Sequence, residues 1–298
     1  MPRPTDVPQP IPYQGSKRQL APEILRYFPH DIDRLIEPFA GSAAISIAVA
    51  SRRWATSYWL NDAHTPLIDL WQQIIHTPDD LAKAYEFLWN DQIGREREYF
   101  NEVRARFNKT HSPPDFLYLL ARCVKAAIRY NANGEFNNTP DNRRRGARPV
   151  EMRGRIETAS ELFRGTTVLT SVDYREVLQD CTSNDLVYMD PPYQGVTGKR
   201  DQRYLPTIVH EEFCEALAEL NRREVPYAVS YDGRTGDKIY GQPMPRSLNL
   251  THLELVAGRS TQATLLGRAD ITYEGFYLSP ALADTIKMPV TKKQLAMW

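Results

Sequence analysis

Asp190-Pro191-Pro192-Tyr193 carries the densest chemistry in the chain. The quartet follows the apolar run Leu186-Val187-Tyr188-Met189, so its carboxylate stands at the tip of a buried strand. The plainest reading is a rigid turn, because prolines fix φ and end a ladder. The same residues also suit one particular reaction. An exocyclic amine such as N6 of adenine has its lone pair delocalised into the ring and is a poor nucleophile. Two acceptors aimed at its two N–H groups favour a tetrahedral nitrogen and localise that lone pair. The Asp190 carboxylate and a backbone carbonyl can supply them, since Pro191 has no N–H and its constrained backbone holds the carbonyl in place. Tyr193 is then expected to stack on the base. Transfer of a methyl group held in line would be direct, with Asp190 stabilising the positive charge that develops on nitrogen, and with no covalent intermediate and no metal. A base inside a duplex is out of reach of such a site, so it has to be flipped out.

The elements needed to hold this quartet are legible around it. Leu35-Ile36-Glu37 reads as a short buried strand and Gly41 as a tight turn, and a helix capped by Ser42 is expected over the apolar run from Ala43 to Ala50. A second strand, Tyr58-Trp59-Leu60, ends in Asn61-Asp62 and leads into a helix through Ile75. Upstream, Ser16 is expected to cap a helix reaching about Tyr27. From Thr77 to Phe163 the segments are helical, rich in Arg, Glu, Tyr and Phe, with an Asn/Gly-dense turn or hairpin over residues 130–138. The αβ rhythm then resumes: strand Thr167–Thr170, helix Tyr174–Leu178, strand Leu186–Met189, helix Glu211–Arg222, strand Tyr227–Ser230, and two closing strands near Leu253–Val256 and Ile271–Leu278. This is the pattern of an α/β fold with a doubly wound, mostly parallel sheet and an antiparallel last pair. Residues 1–76 and 164–298 form the expected catalytic domain, and residues 77–163 an insertion.

In open α/β sheets, ligands sit beyond the carboxyl ends of the strands. Three acids stand at such tips: Asp62, Asp173 and Asp190. An acid after the second strand suits a ribose diol, because a carboxylate accepts hydrogen bonds from both hydroxyls. The turn Phe39-Ala40-Gly41-Ser42-Ala43 has one glycine, whereas a dinucleotide pyrophosphate prefers three. A ligand without phosphates fits it better, such as the amino-acid end of S-adenosylmethionine.

Composition narrows the classes. With 298 residues and 42% apolar content, the chain can bury one large domain with an insertion, or two ordinary domains. No run approaches the roughly 20 apolar residues of a membrane span and the N-terminus lacks a signal-peptide core, so a cytoplasmic protein is expected. Cys123, Cys181 and Cys214 are too widely spaced for a metal site or a disulfide framework and read as small core residues. The formal net charge of +0 argues mildly against a nucleic-acid partner. Against this, Arg143, Arg144, Arg145, Arg148, Arg153 and Arg155 cluster around a single acid, Glu151. Taken alone, such a run reads as a solvated loop.

These motifs, in this order, resemble the Dam-like family of DNA adenine N6-methyltransferases across nearly the whole chain. Pro12-Tyr13-Gln14-Gly15-Ser16-Lys17 is similar to the family's W-x-G-G-K segment, which implies that Tyr13 and Lys17 contact the cofactor. Glu37-Pro38-Phe39-Ala40-Gly41-Ser42-Ala43 resembles its E-P-F-x-G-x-G cofactor loop, with Ala43 in place of the second glycine. Asp62 matches its ribose-binding acid, and Asp173-Tyr174 the acid and aromatic that bracket the cofactor's adenine. Arg129-Tyr130-Asn131 and Gly134-Glu135-Phe136-Asn137 resemble the target-recognition hairpin R-Y-N-x-x-G-E-F-N, and the quartet at 190 matches the catalytic D-P-P-Y. The closing strands and Ser230-Tyr231-Asp232 have counterparts as well, the latter a weaker match.

The resemblance implies a Rossmann-like catalytic domain with a target-recognition domain in the middle. It implies S-adenosylmethionine as methyl donor, S-adenosylhomocysteine as product, and no metal. It also implies double-stranded DNA as substrate for a chain monomeric in solution, acting alone or beside a cognate restriction endonuclease. Arg129, Tyr130, Asn131 and Asn133 of the hairpin, with Arg143, Arg144, Arg145 and Arg148 of the basic run, become the expected DNA contacts. A GATC site is compatible with the Gly134–Asn137 stretch, although the following residues depart from the usual V-P-F-G. An amino-group methyltransferase acting on protein glutamine or RNA is the nearest rival, and a catalytically silent DNA-binding module the rival from another class. Asp190 and the arginine cluster weigh against the first, and intact Lys17, Asp62 and Asp190 against the second.

Overall fold

The computed structural model describes residues 7–192, 208–235, 238–259 and 271–286. Tyr193, the last member of the quartet, lies outside the described residues. Among the described residues eight strands form one sheet: β1 (Ile32–Glu37), β2 (Ala55–Asn61), β3 (Thr167–Thr170), β4 (Asp185–Met189), β5 (Tyr227–Thr235), β6 (Lys238–Tyr240), β7 (Thr251–Arg259) and β8 (Ile271–Leu278). Their order is β3-β2-β1-β4-β5-β8-β7, with β6 paired to β5. β1 to β5 run parallel, and β8 and β7 add antiparallel at one edge, as the sequence pattern leads one to expect. The short β6 has no counterpart in that pattern. Strand order reverses between β1 and β4, and at such a switch point the loops above the sheet diverge and leave a crevice.

Alternating side chains sort into two cores, one on each face of the sheet. Leu35, Leu186, Tyr188, Ala228, Phe276 and Leu278 point into one. Ile36, Val187, Met189, Tyr227, Val229 and Tyr277 point into the other. Burial on both faces is why β4 reads as an unbroken apolar run. Helices α8 (Tyr174–Gln179) and α9 (His210–Arg222) cover the second face through Val177, Leu178, Phe213, Leu217 and Leu220. The first face is covered by α2 (Ala44–Ala50), α3 (Thr65–His76) and α7 (Pro149–Phe163). On α3, Leu67, Leu70, Trp71, Ile74 and Ile75 form the buried stripe at helical spacing. α7 is pinned to α3 where Ser160 Oγ donates to the Ile75 carbonyl at 2.8 Å. Between α3 and α7 lie α4 (Pro78–Asp91), α5 (Glu96–Thr110) and α6 (Pro113–Arg122), whose buried aromatics join the same core.

Two expected helix starts differ. Residues 16–27 form short pieces, a 3-10 turn Lys17–Gln19, α1 (Ala21–Ile24) and a second 3-10 turn Leu25–Tyr27, and Ser16 makes no side-chain cap. Its hydroxyl instead accepts from Ser42 Oγ at 2.9 Å, tying the N-terminal segment to the β1 loop. Ser42 does not cap α2 either. The N-cap is Ala43, held left-handed at φ 46°. That conformation costs an alanine about 1–2 kcal/mol, which is the physical reason a glycine suits the position. Cys123 and Cys181 are buried free thiols and Cys214 is half-buried.

Candidate active site

A cavity of about 590 Å³ opens over the carboxyl ends of β1 to β4, at the switch point. Pockets for small ligands fall in this size range. Its wall includes Tyr13 and Lys17 from the N-terminal segment, and Glu37, Pro38, Phe39, Gly41 and Ser42 from the β1 loop. Asp62 follows β2, Asp173 and Tyr174 follow β3, and Asp190, Pro191 and Pro192 follow β4. Every described residue expected at the catalytic or cofactor site therefore reaches one space.

The β1 loop is shaped from three directions. Gly41 sits at φ +50°, and a Cβ there would stand 3.2 Å from Tyr13 Cε1, so the glycine permits both the turn and the close approach of that ring. The Gly41 N–H donates to Asp62 Oδ2 at 3.0 Å, and its carbonyl accepts from Trp71 Nε1 at 3.0 Å. Asp62 Oδ1 takes the His64 N–H at 2.9 Å. Burial holds the Asp62 carboxyl above its ordinary value, while the His64 and Gly41 N–H groups oppose that shift. A carboxylate has about four acceptor positions, so two protein donors leave capacity for a diol.

Glu37 is the second buried acid. It is 2% exposed, and its Oε1 accepts the Ser46 N–H at 2.6 Å, at the N-terminus of α2. The place where a nucleotide-binding fold would seat a phosphate is thus filled by the chain's own carboxyl. Burial pushes the Glu37 carboxyl up to about 8, partly opposed by Ser46. Asp173 caps α8 by accepting the Arg175 N–H at 2.9 Å, and Arg175 also pairs with Glu212 at 2.9 Å. Tyr174 is buried against Phe39, with ring centroids 5.2 Å apart.

Lys17 is 7% exposed and lies between two carboxylates, 3.1 Å from Asp190 Oδ1 and 3.0 Å from Glu274 Oε1. Burial pulls its ammonium down, but Asp190 and Glu274 more than reverse that, so it stays charged. The cations on the wall, Lys17 and Arg175, are already paired with acids, and the buried Glu37 and Asp62 carboxyls can take up negative charge when a cation arrives beside them. Such a lining disfavours phosphates and suits a cationic ligand. The fit to S-adenosylmethionine, with a sulfonium, an ammonium, a ribose diol and no phosphate, is good on this ground. Among the described residues no group of His, Cys, Asp and Glu is arranged to hold a metal.

The family profile described as D12 class N6 adenine-specific DNA methyltransferase matches residues 13–254. The chain belongs to this family. Among curated relatives, it is 26% identical to the type II methyltransferase M1.LlaDCHI of Lactococcus lactis subsp. cremoris, over 61% of this chain and 64% of that one. It is 29% identical to a DNA adenine methylase of Serratia marcescens, over 61% and 66%. To the retron Ec67 DNA adenine methylase of Escherichia coli it is 31% identical, over 62% and 63%. In each case the match spans less than two thirds of the relative's own length.

As a member of the D12 class, the chain shows two site features that motif reading passed over. Asn61 was read only as a strand end. It is fully buried, and its Nδ2 donates to the carbonyls of Pro38 at 3.0 Å and Val172 at 3.1 Å. Its Oδ1 accepts from Val172 N at 3.0 Å and Thr170 Oγ1 at 2.8 Å, so one amide binds the loops after β1, β2 and β3 together. By sequence Glu274 is only a position on a closing strand. An Asn ending an apolar strand beside an acidic tip is a usable signal for Asn61, whereas nothing local marks Glu274 as a partner of Lys17.

The expected DNA contacts lie outside the cavity wall. A β-bridge joins Tyr130 and Phe136, so the hairpin is present. The Tyr130 hydroxyl turns inward to His64 Nε2. The Asn131 side chain is occupied with the turn itself, accepting from the N–H groups of Asn133 and Glu135, each at 2.9 Å. Asn133 is exposed and Arg129 half-buried. Arg143, Arg144, Arg145 and Arg148 are exposed. Three of them pair with acids, Arg144 with Asp141, Arg145 with Glu96 and Arg148 with Glu151, so the cluster is less cationic than its local sequence suggests.

Proposed function

We propose that this chain transfers a methyl group from S-adenosylmethionine to N6 of an adenine flipped out of double-stranded DNA, with Asp190 as the acceptor that activates the amino group. One observation carries the reading: Asp190 and Pro191 share a single acid-lined cavity with Glu37 and Asp62, at the switch point of the sheet. Family membership supports it independently.

When bound, S-adenosylmethionine supplies an electrophilic methyl on sulfur. Asp62 would receive the ribose hydroxyls, Glu37 would face the cationic end, and Phe39 and Tyr174 would form the apolar wall against the adenine, with Asp173 at its edge. Tyr13, Pro38 and Ser42 complete the enclosure, and Gly41 lets it close. Asp190 accepts one hydrogen of the target amine and a backbone carbonyl held by the proline pair accepts the other. The strand tip and the proline pair set the positions of both acceptors, and electrostatic catalysis gains most from groups positioned before the reaction. Tyr193 is assigned to stacking on the flipped base.

Residues 77–163 are assigned to target recognition, with Arg129, Tyr130, Asn131, Asn133, Arg143, Arg144, Arg145 and Arg148 as DNA-contacting or hairpin-shaping residues. Exposure of the four arginines supports the assignment. No helix among the described residues is long and apolar enough to cross a membrane. The reading takes the chain as a cytoplasmic monomer. The printed names of relatives, among them a type II methyltransferase and the modification methylase StsI, support pairing with a restriction endonuclease.

The deciding experiment incubates plasmid DNA with the protein and isotopically labelled S-adenosylmethionine, then maps N6-methyladenine by position. Label is expected at one short sequence context, and Asp190→Ala should abolish it while DNA binding survives. Unmodified adenine with the wild-type protein, or undiminished label with the variant, would refute the assignment.

A further inference from the structure

Glu274 belongs to no motif that defines the site, yet the sheet delivers it to Asp190 through Lys17. It lies on β8, two residues from Phe276 and four from Leu278, so all three share a face. Phe276 packs under Tyr27, with ring centroids 5.7 Å apart, and this places the N-terminal segment over the same face. A register shift between β5 and β8 falls beside it, between Ser230↔Phe276 and Gly233↔Glu274. Gly275 makes that irregularity possible: a Cβ there would stand 1.9 Å from Asp232 Oδ1 and 2.6 Å from the Tyr231 carbonyl.

The resulting ion pairs have a consequence for the reaction proposed above, on which this inference rests. Lys17 Nζ occupies Asp190 Oδ1 at 3.1 Å, and an oxygen holding an ammonium is a weaker acceptor for an amine hydrogen. Were Asp190 its sole partner, a buried lysine would stay there as a fixed counter-ion. Glu274 Oε1 at 3.0 Å is a second acid on the same ammonium, so Lys17 keeps a carboxylate partner if it moves off Asp190. The three groups together carry a net negative charge, which favours positive charge developing beside Asp190.

We infer that Glu274 is a positioning residue: it takes over the Lys17 ammonium when the target amine reaches Asp190, freeing Asp190 Oδ1 to accept a hydrogen while Asp190 remains ionised. Tyr13 of the N-terminal segment, Glu37 at the end of β1, Tyr188 of β4 and Asp232 of β5 also face this cluster electrostatically, and none of them changes in the variants below.

The test compares single-turnover methyl transfer by the full chain at saturating cofactor and DNA, normalised to cofactor-binding sites counted by calorimetry so that unfolded protein drops out. Glu274→Gln removes the second carboxylate charge facing Lys17 while keeping an amide acceptor there, and should slow transfer on the order of 10²-fold, as for loss of one preorganised electrostatic group. Its affinities for cofactor and DNA should stay within about threefold, as an effect confined to the chemical step requires. Lys17→Gln leaves two carboxylates face to face, so the acid limb of its pH–rate profile should move to higher pH. The double variant should be no slower than Lys17→Gln and should return that limb toward its wild-type position. A near-wild-type rate for Glu274→Gln, or losses that simply multiply in the double variant, would overturn the inference. Asp190→Asn separates the two claims. If it keeps turnover, the underlying reading falls; if it loses turnover while Glu274→Gln is unaffected, only the role of Glu274 falls.

Discussion

If the cavity takes a cationic ligand as proposed, Glu37 should make its binding proton-linked. Its carboxyl is 2% exposed, accepts the Ser46 N–H, and is pushed by burial from an ordinary 4.5 to about 8. With no cation beside it, about one molecule in a hundred carries Glu37 ionised at pH 6, and about one in four at pH 7.5. A cationic ligand selects that ionised fraction. Affinity for S-adenosylmethionine should therefore rise between pH 6 and pH 7.5, by up to about 25-fold, with the upper end trimmed where the ligand's own α-amino group, at about 7.7–8.0, begins to titrate. Close to one proton should be released per site at the acid end. Glu37→Gln keeps an acceptor for Ser46 and removes the titration, so its affinity should change less than about threefold over the same range. Calorimetry in two buffers of different ionisation enthalpy reads both quantities. The sign for stability follows from the same shift. The fold binds the Glu37 proton more tightly than the unfolded chain does, so this group costs nothing below about pH 4.5. It weakens the protein as pH rises toward and through 8, by several kcal/mol at the alkaline end. Urea unfolding of ligand-free protein should show Glu37→Gln gaining on the wild type between pH 6 and pH 9. Parallel pH profiles for the two proteins, with no proton released on binding, would refute the argument.

Other perturbations test the frame around the cavity. Asn61→Ala strands the Pro38 and Val172 carbonyls in a buried site and should cost about 2–4 kcal/mol in chemical denaturation, with weaker cofactor binding; a loss below about 0.5 kcal/mol would show that the three loops hold without the amide. Gly41→Ala adds a methyl 3.2 Å from the Tyr13 ring at φ +50°, and the expected cost of about 1–2 kcal/mol in stability should come with a weakened cofactor Kd; an unchanged Kd would exclude Tyr13 from the binding surface. Replacing Arg143, Arg144 and Arg145 together with Ala should weaken DNA binding and lower the salt slope, by less than the full value for three phosphate contacts because Arg144 and Arg145 already have acid partners; an unaltered slope would return the cluster to a solvated loop.

Much of this molecule is legible in one dimension because the information is local. Strand periodicity, apolar runs buried on both faces, and turn residues at Gly41 and Pro191 locate β1 to β5 and the acidic tips, and the wound order of α/β units brings those tips to one end of the sheet. Helix starts are less secure: Ser16 and Ser42 are good caps by type, yet each spends its hydroxyl on the other, 26 residues away. What only the tertiary structure decides is which polar groups meet across distance. Asn61 as a three-loop clasp, Glu37 in the place of a phosphate, the acids that partner the arginine run, and Lys17 between Asp190 and Glu274 all depend on strand order and register. A shift of one residue in β8 would turn Glu274 to the opposite face, and no local propensity records that choice. The quartet at 190 could be read from its own residues, but the lysine that pairs with its carboxylate is shared with an acid more than eighty positions further along the chain.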